Sequence, residues 1–121
     1  MKIVLPFPPS DLSGHNNGAW YSRDRIVATY RAEAFHLTKQ AKNEHGYVVP
    51  ASGDIAISFH FYAPDNRGDR VNYPNRLKAQ IDGIAEALGV NDKRFLPSYH
   101  FEGNGKPGRV EVVIGGSHYG D

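Results

Sequence analysis

The chain has 121 residues, enough for one domain with its own core, and its 40% hydrophobic and 12% aromatic content excludes a disordered polymer. It has no cysteine, which excludes disulfides, thiol catalysis, iron–sulfur clusters and cysteine-ligated zinc, and no apolar run approaches the ~18 residues of a membrane span. Its 14 Lys and Arg against 13 Asp and Glu leave a formal charge of +1, so a nucleic-acid partner would have to be met by local charge arrangement and not by a basic excess.

Ile3, Leu5 and Phe7 alternate with Lys2, Val4 and Pro6, which predicts a first strand stopped by Pro8-Pro9. The same apolar run is broken by Pro6 and is too short for a secretory signal. Residues 10–26, beginning Ser-Asp-Leu-Ser-Gly-His-Asn-Asn-Gly, are rich in turn formers and read as a long ordered loop of the kind that often carries function. Val27, Tyr30, Ala34, Leu37 and Ala41 recur at steps of three and four and predict a helix over about 27–43.

Ile55, Ile57, Phe59 and Phe61 alternate with polar neighbours and predict a strand with one buried face. After a polar turn at 63–68, Leu77, Ile81, Ile84 and Leu88 make a second helical stripe, with Pro74 in the first turn and Gly89 as the C-cap. Two further strands are expected at about 97–102 and 109–114, and residues 115–121 read as a frayed tail. The order β-α-β-α-β-β describes a single small α+β domain with helices packed on a mixed or antiparallel sheet.

Gly103-x-Gly105-x-x-Gly108 has the letters of a dinucleotide fingerprint, but that motif needs a strand-to-helix turn. Here it separates two strands and predicts a glycine-rich hairpin turn. No His-x-x-x-His or His-Glu-x-x-His pair occurs, so the histidines do not point to zinc. His15 stays a candidate because of the loop that holds it.

The segment Asp65 to Gly83 is chemically dense. Asn75, Lys78 and Asp82 stand at i, i+3 and i+7 and would share a helical face, with Asp69 before it and Asp92 after it in loops. One reading is a solvated face with a Lys78–Asp82 pair contributing a few tenths of a kcal/mol. The other is a magnesium site for phosphodiester hydrolysis, since Mg²⁺ takes oxygen ligands and a lysine can hold a phosphate.

Four segments then resemble, in order, the RusA family of Holliday junction resolvases. They are Leu5-Pro6-Phe7-Pro8-Pro9-Ser10 with the following polar loop, Tyr30-Arg31 in the first helix, Lys78-x-x-x-Asp82-Gly83-Ile84 closed by Leu88-Gly89-Val90-Asn91-Asp92, and Gly105-Lys106-Pro107-Gly108-Arg109-Val110-Glu111-Val112. The family pattern places two aspartates and an asparagine before the lysine. Counted back from Lys78, those aspartates fall on Asn72 and Pro74, with Asn75 kept. A second register, preferred for its basic lead-in Arg67-Gly68-Asp69-Arg70, sets Asp69 and Asn72 on the first Asp and the Asn, with Val71 in place of the other aspartate.

The resemblance implies a RusA-like fold and a homodimeric, Mg²⁺-dependent endodeoxyribonuclease (Mn²⁺ as a substitute) that resolves four-way DNA junctions in the cytoplasm of a bacterium or phage-infected cell. It implies catalysis by Asp69, Lys78, Asp82 and Asp92, with metal held by Asp69, Asp82 and Asp92. DNA would be met by His15, Asn16, Arg67, Arg70, Asn72, Asn75, Arg76, Lys93, Lys106 and Arg109. The incomplete aspartate set keeps two alternatives open: a relative that binds branched DNA without cutting it, and a small metal-dependent hydrolase not acting on DNA. Trp20 and Tyr21 could wedge at the crossover or pack within the loop, and Val, Ile and Phe residues of the last strands could supply the dimer surface.

Overall fold

Five apolar side chains at alternate positions, Ile55, Ile57, Phe59, Phe61 and Ala63, put one face of a nine-residue strand out of water. In the computed structural model, which describes residues 1–12 and 20–115, this strand lies inside the sheet. The elements in chain order are β1 (Lys2–Pro6), α1 (Trp20–His45), β2 (Ile55–Ala63), α2 (Lys78–Leu88), β3 (Phe95–Asn104) and β4 (Arg109–Ile114). Short 3₁₀ helices stand at Ser10–Leu12, Arg70–Arg76 and Asp92–Arg94. The strand order is β1-β4-β2-β3, with β4 antiparallel to both β1 and β2, and β3 parallel to β2, so the sheet is mixed.

Both long helices cover one face of the sheet. Ala34 and Ala41 of α1 and Ile84 and Leu88 of α2 join Ile3, Leu5, Phe59, Val110, Val112 and Ile114 in one core. No helix among the described residues is long and apolar enough to cross a membrane. The other face carries the alternate residues: Lys2 and Arg109 both pair with Glu111, His60 bonds Glu102 at 2.7 Å, and the His60 and His100 rings stack at 4.6 Å.

Several boundaries differ from the sequence reading. Helix α1 begins at Trp20, inside the stretch read as loop, because nothing from Trp20 to Val27 is glycine or proline. Residues 13–19, with His15 and Asn16, lie outside the described residues, as do the side chains of Trp20 and Tyr21 and residues 116–121. Pro74 does not open α2 but sits within the Arg70–Arg76 3₁₀ helix, whose preceding Asp69 accepts from the Val71 N–H. Asn75 therefore precedes α2 instead of sharing its face with Lys78.

The segment 103–108 is not a hairpin turn. β2 separates β3 from β4, so the loop passes over the C-terminal end of β2, with Gly105 N–H bonded to the Ala63 carbonyl at 3.0 Å. A Cβ on Gly108 would stand 2.6 Å from Pro64 Cδ, which is why this crossing uses glycine. Val110, Val112 and Ile114 are buried in the chain's own core and offer no dimer surface; the exposed apolar groups of the last strands are Leu96, Tyr99 and Phe101 on β3.

At Gly83 of α2 the two long helices approach closely. A Cβ there would collide with the Arg31 carbonyl oxygen and come within 3.0 Å of the Phe35 nitrogen, both on α1. Gly83→Ala should gain up to ~1 kcal/mol of helix propensity. Overpacking against backbone costs ~1–3 kcal/mol, and backbone yields less readily than a side chain. The expected outcome is a net loss of stability, read as a lower urea midpoint at unchanged m-value.

Candidate functional site

The site is built by the way α2 starts and stops. Lys78, Asp82 and Glu86 stand four residues apart on α2 and form one stripe. Gly89, at φ 69°, closes the helix in the left-handed conformation, with Val90 N–H returning to the Ala85 carbonyl. Asn91 then caps the Asp92–Arg94 turn, its Oδ1 accepting from Lys93 N–H at 2.9 Å. That reversal brings Asp92 back beside the first residue of α2.

The Lys78 ammonium consequently lies 2.9 Å from Asp82 Oδ1 and 2.7 Å from Asp92 Oδ2. From α1, Arg31 donates through Nε and Nη2 to Glu86 Oε1 at 3.2 and 3.1 Å. These five side chains line an open groove of about 330 Å³ with Ala85, Val90 and Asn91. The Lys78 hydrogen bond and charge, aided by Lys93, hold the Asp92 carboxyl below its ordinary pKa. Hydrogen bonds to Asp92 and then Asp82 raise that of Lys78.

Of the four residues expected to be catalytic, the structure brings three together. Asp69 caps the end of the 3₁₀ helix remote from α2 and does not line the groove. The metal triad Asp69, Asp82 and Asp92 is therefore not assembled. Among the described residues no three His, Asp or Glu side chains are placed to share an ion. Mg²⁺ is commonly held by one or two carboxylates and water. Asp82 and Asp92 fit that smaller donor set, in competition with Lys78 for the same oxygens.

The expected DNA contacts divide. Arg67 and Arg70 are exposed in the segment after β2, and Lys106 is exposed in the loop that crosses the same end of the sheet. Lys93 is exposed beside Asp92. Asn72 is half-buried and Asn75 exposed in the 3₁₀ helix.

Arg76 and Arg109 are already engaged within the chain. Arg76 donates to the Pro8 carbonyl at 3.3 Å and lies over the Tyr73 ring at 5.2 Å. Arg109 bonds Glu111 at 2.8 Å and covers the Tyr62 ring at 3.9 Å. The Arg76 bond and that from buried Gln80 Nε2 to the Pro6 carbonyl at 3.0 Å anchor the proline-rich exit of β1.

Glu86 escaped the sequence reading of the site although it was detectable, since it extends the Lys78/Asp82 stripe by one more step of four. Arg31 was named in the sequence as part of the family resemblance, but it comes from a different helix, and no spacing relates it to α2.

No family model matches the chain. A protein of Xylella fastidiosa (strain Temecula1), described as an uncharacterized protein, is 32% identical over 117 residues, which cover 95% of this chain and 76% of that protein.

The ion network has a calculable pH dependence. The depressed Asp92 pKa contributes stability that is present above the ordinary carboxylate pKa and lost as pH falls through its lower folded value. The raised Lys78 pKa contributes stability that is present below the ordinary lysine pKa and lost as pH rises through its higher folded value. The Lys78–Asp92 pair should therefore be fully effective between the ordinary carboxylate and lysine pKa values. In an NMR titration of side-chain carboxyls, Lys78→Ala should return Asp92 upward toward its ordinary pKa; an unmoved Asp92 would refute the assignment.

Proposed function

The chain belongs to one family with the Xylella fastidiosa protein, and for this chain we propose a Mg²⁺-dependent endonuclease activity on branched DNA, cutting four-way junctions in paired fashion as a homodimer. The observation that carries the reading is the convergence of Lys78, Asp82 and Asp92 in one open groove, on the residues through which the chain resembles the RusA family. Asp82 and Asp92 are the side chains to hold the ion. Such an ion, when bound, supplies Lewis acidity for an attacking water and for the leaving oxygen.

Lys78 has a separate task. Were Asp82 and Asp92 neutralised by such an ion, the Lys78 ammonium would be free to hold a non-bridging phosphate oxygen as its counter-anion. Arg31, half-exposed beside Glu86, borders the same groove and adds a second cation for the DNA backbone. A C₂ dimer would present two such grooves to the two-fold symmetry of a junction. Lys93, Arg67, Arg70 and Lys106 remain available for phosphate contacts, and a cytoplasmic location is part of the proposal.

A second reading is a junction-binding relative without cleavage, favoured by the separation of Asp69 from the groove. The test is incubation of a synthetic four-way junction, beside a linear duplex of matched sequence, with Mg²⁺, Mn²⁺ or chelator. The expected outcome is paired, metal-dependent nicks in the junction alone, lost in Asp82→Asn and Asp92→Asn but retained in Asp69→Asn. Tight junction binding without nicks in either metal would establish the second reading. Equal treatment of junction and duplex would defeat both.

A further inference from the structure

At the C-terminal ends of β2 and β3, on the helix side of the sheet, lies a cavity of about 390 Å³ that shares no lining residue with the Lys78 groove. Its volume falls within the ~300–1,000 Å³ typical of ligand sites. Phe61 and Tyr73 form its inner wall and are buried, whereas Phe101, stacked on Phe61 at 5.4 Å and 13°, leaves its residue 45% exposed. Tyr73 also meets the Phe101 ring, tilted at 6.2 Å, and a ring held between two aromatic neighbours yet nearly half exposed can serve as a stacking platform.

The polar part of the lining suits the edge of a base. Asn104 Nδ2 donates to Asn66 Oδ1 at 3.0 Å, which leaves the Asn66 amide N–H groups and the Asn104 carbonyl with no protein partner among the described residues. A donor and an acceptor side by side at the rim of an aromatic wall match the alternating groups of a nucleobase edge. Arg70 stands exposed in the lining, placed to meet a phosphate, and the Asp65 carboxylate beside it is covered by Arg67 at 3.5 Å.

Backbone irregularity shapes the opening. The β2–β3 register slips at Phe61/Tyr62, so Tyr62 pairs with Gly103 and Glu102 is the extra residue, while Gly103 adopts φ 142°. Gly68 packs so closely on Tyr73 that a Cβ would stand 2.7 Å from the ring.

The cavity also lies along a path from the groove. Lys78 and Asp92 share a smaller cleft with Pro97 and Tyr99 of β3, and Phe101 follows Tyr99 by two residues, about 7 Å along the strand. A DNA strand with a phosphate at Lys78 can thus reach Phe101 within a few nucleotides.

We infer that this cavity holds one unstacked nucleobase of the DNA strand engaged at the Lys78 groove, stacked on Phe101 and bonded by Asn66 and Asn104, with Arg70 on its phosphate. The inference rests on the DNA reading above and adds a base-holding subsite to it.

The test places 2-aminopurine at successive positions around the branch of a four-way junction, and in a short single strand, and follows its fluorescence on binding to the full chain. Quenching at a restricted set of positions is expected for the wild type. Phe101→Leu, which keeps apolar bulk without a ring, should remove that quenching and weaken single-strand binding about tenfold, the scale of one lost stack, and Asn66→Ala, at an exposed site, should reduce both by releasing the base edge. Lys39→Ala, at an exposed position on α1 outside both sites, should leave the quenching in place, and thermal melts should show all three variants folded.

Junction binding without quenching at any position would overturn the subsite and leave the nuclease reading standing. Quenching on the single strand with no preference for the junction would keep the subsite and remove the junction reading. A change of oligomeric state in Phe101→Leu, with quenching intact in Asn66→Ala, would assign the ring to an interface between copies and overturn the inference.

Discussion

The close approach of α1 and α2 at Gly83 is the contact on which the rest of the structure depends. With only a hydrogen at that position, the Arg31 backbone lies directly against α2. Both helices can then press Ala34, Ala41, Ile84 and Leu88 onto the same face of the sheet. The same approach sets the Arg31 side chain over Glu86 and so makes one wall of the groove. Stability and site geometry therefore share a cause. A larger residue at 83 would not only strain the helix pair but would also carry Arg31 away from the Lys78 stripe.

The far end of the same assembly is tied by polar groups from the 3₁₀ helix and α2. Arg76 and Gln80 donate to the carbonyls of Pro8 and Pro6, groups that a strand leaving its sheet exposes and that proline cannot pair through its own nitrogen. Phe7 packs edge-on against Tyr73 at 5.0 Å and Phe61 at 6.2 Å, so the proline-rich segment is held by apolar and polar contacts together. This gives a structural reason for the Leu5-Pro6-Phe7-Pro8-Pro9 pattern that owes nothing to catalysis. It also accounts for Arg76, whose charge is engaged inside the chain.

The groove and the cavity differ in how the chain prepares them. In the groove, opposite charges satisfy one another, and Lys78 serves as an internal counter-ion to two carboxylates in the absence of a competing cation or anion. In the cavity, rigidity comes from stacked rings and a strand bulge, and the polar groups at the rim are left with spare donors and acceptors. A site of the first kind responds to ionic conditions; one of the second kind selects by shape.

Local periodicity in the sequence determined the strand at 55–63, both helical stripes, the Gly89 cap and the i,i+4 relation of Lys78 to Asp82, because each depends on neighbours within a few residues. It also put Asp92 in the loop that follows Gly89, but the Asn91 cap and the turn that brings Asp92 back to Lys78 belong to the tertiary structure. Only the tertiary structure decided that β3 and β4 are separated by β2, since strand order depends on which edges meet in space and not on the loop that joins consecutive strands. The same holds for Asp69, which lies near Lys78 in sequence yet is carried off by a 3₁₀ helix whose rise per residue exceeds that of an α-helix. Arg31 and Phe101 likewise entered their sites through packing between elements distant in the chain, for which single-sequence spacing contains no signal.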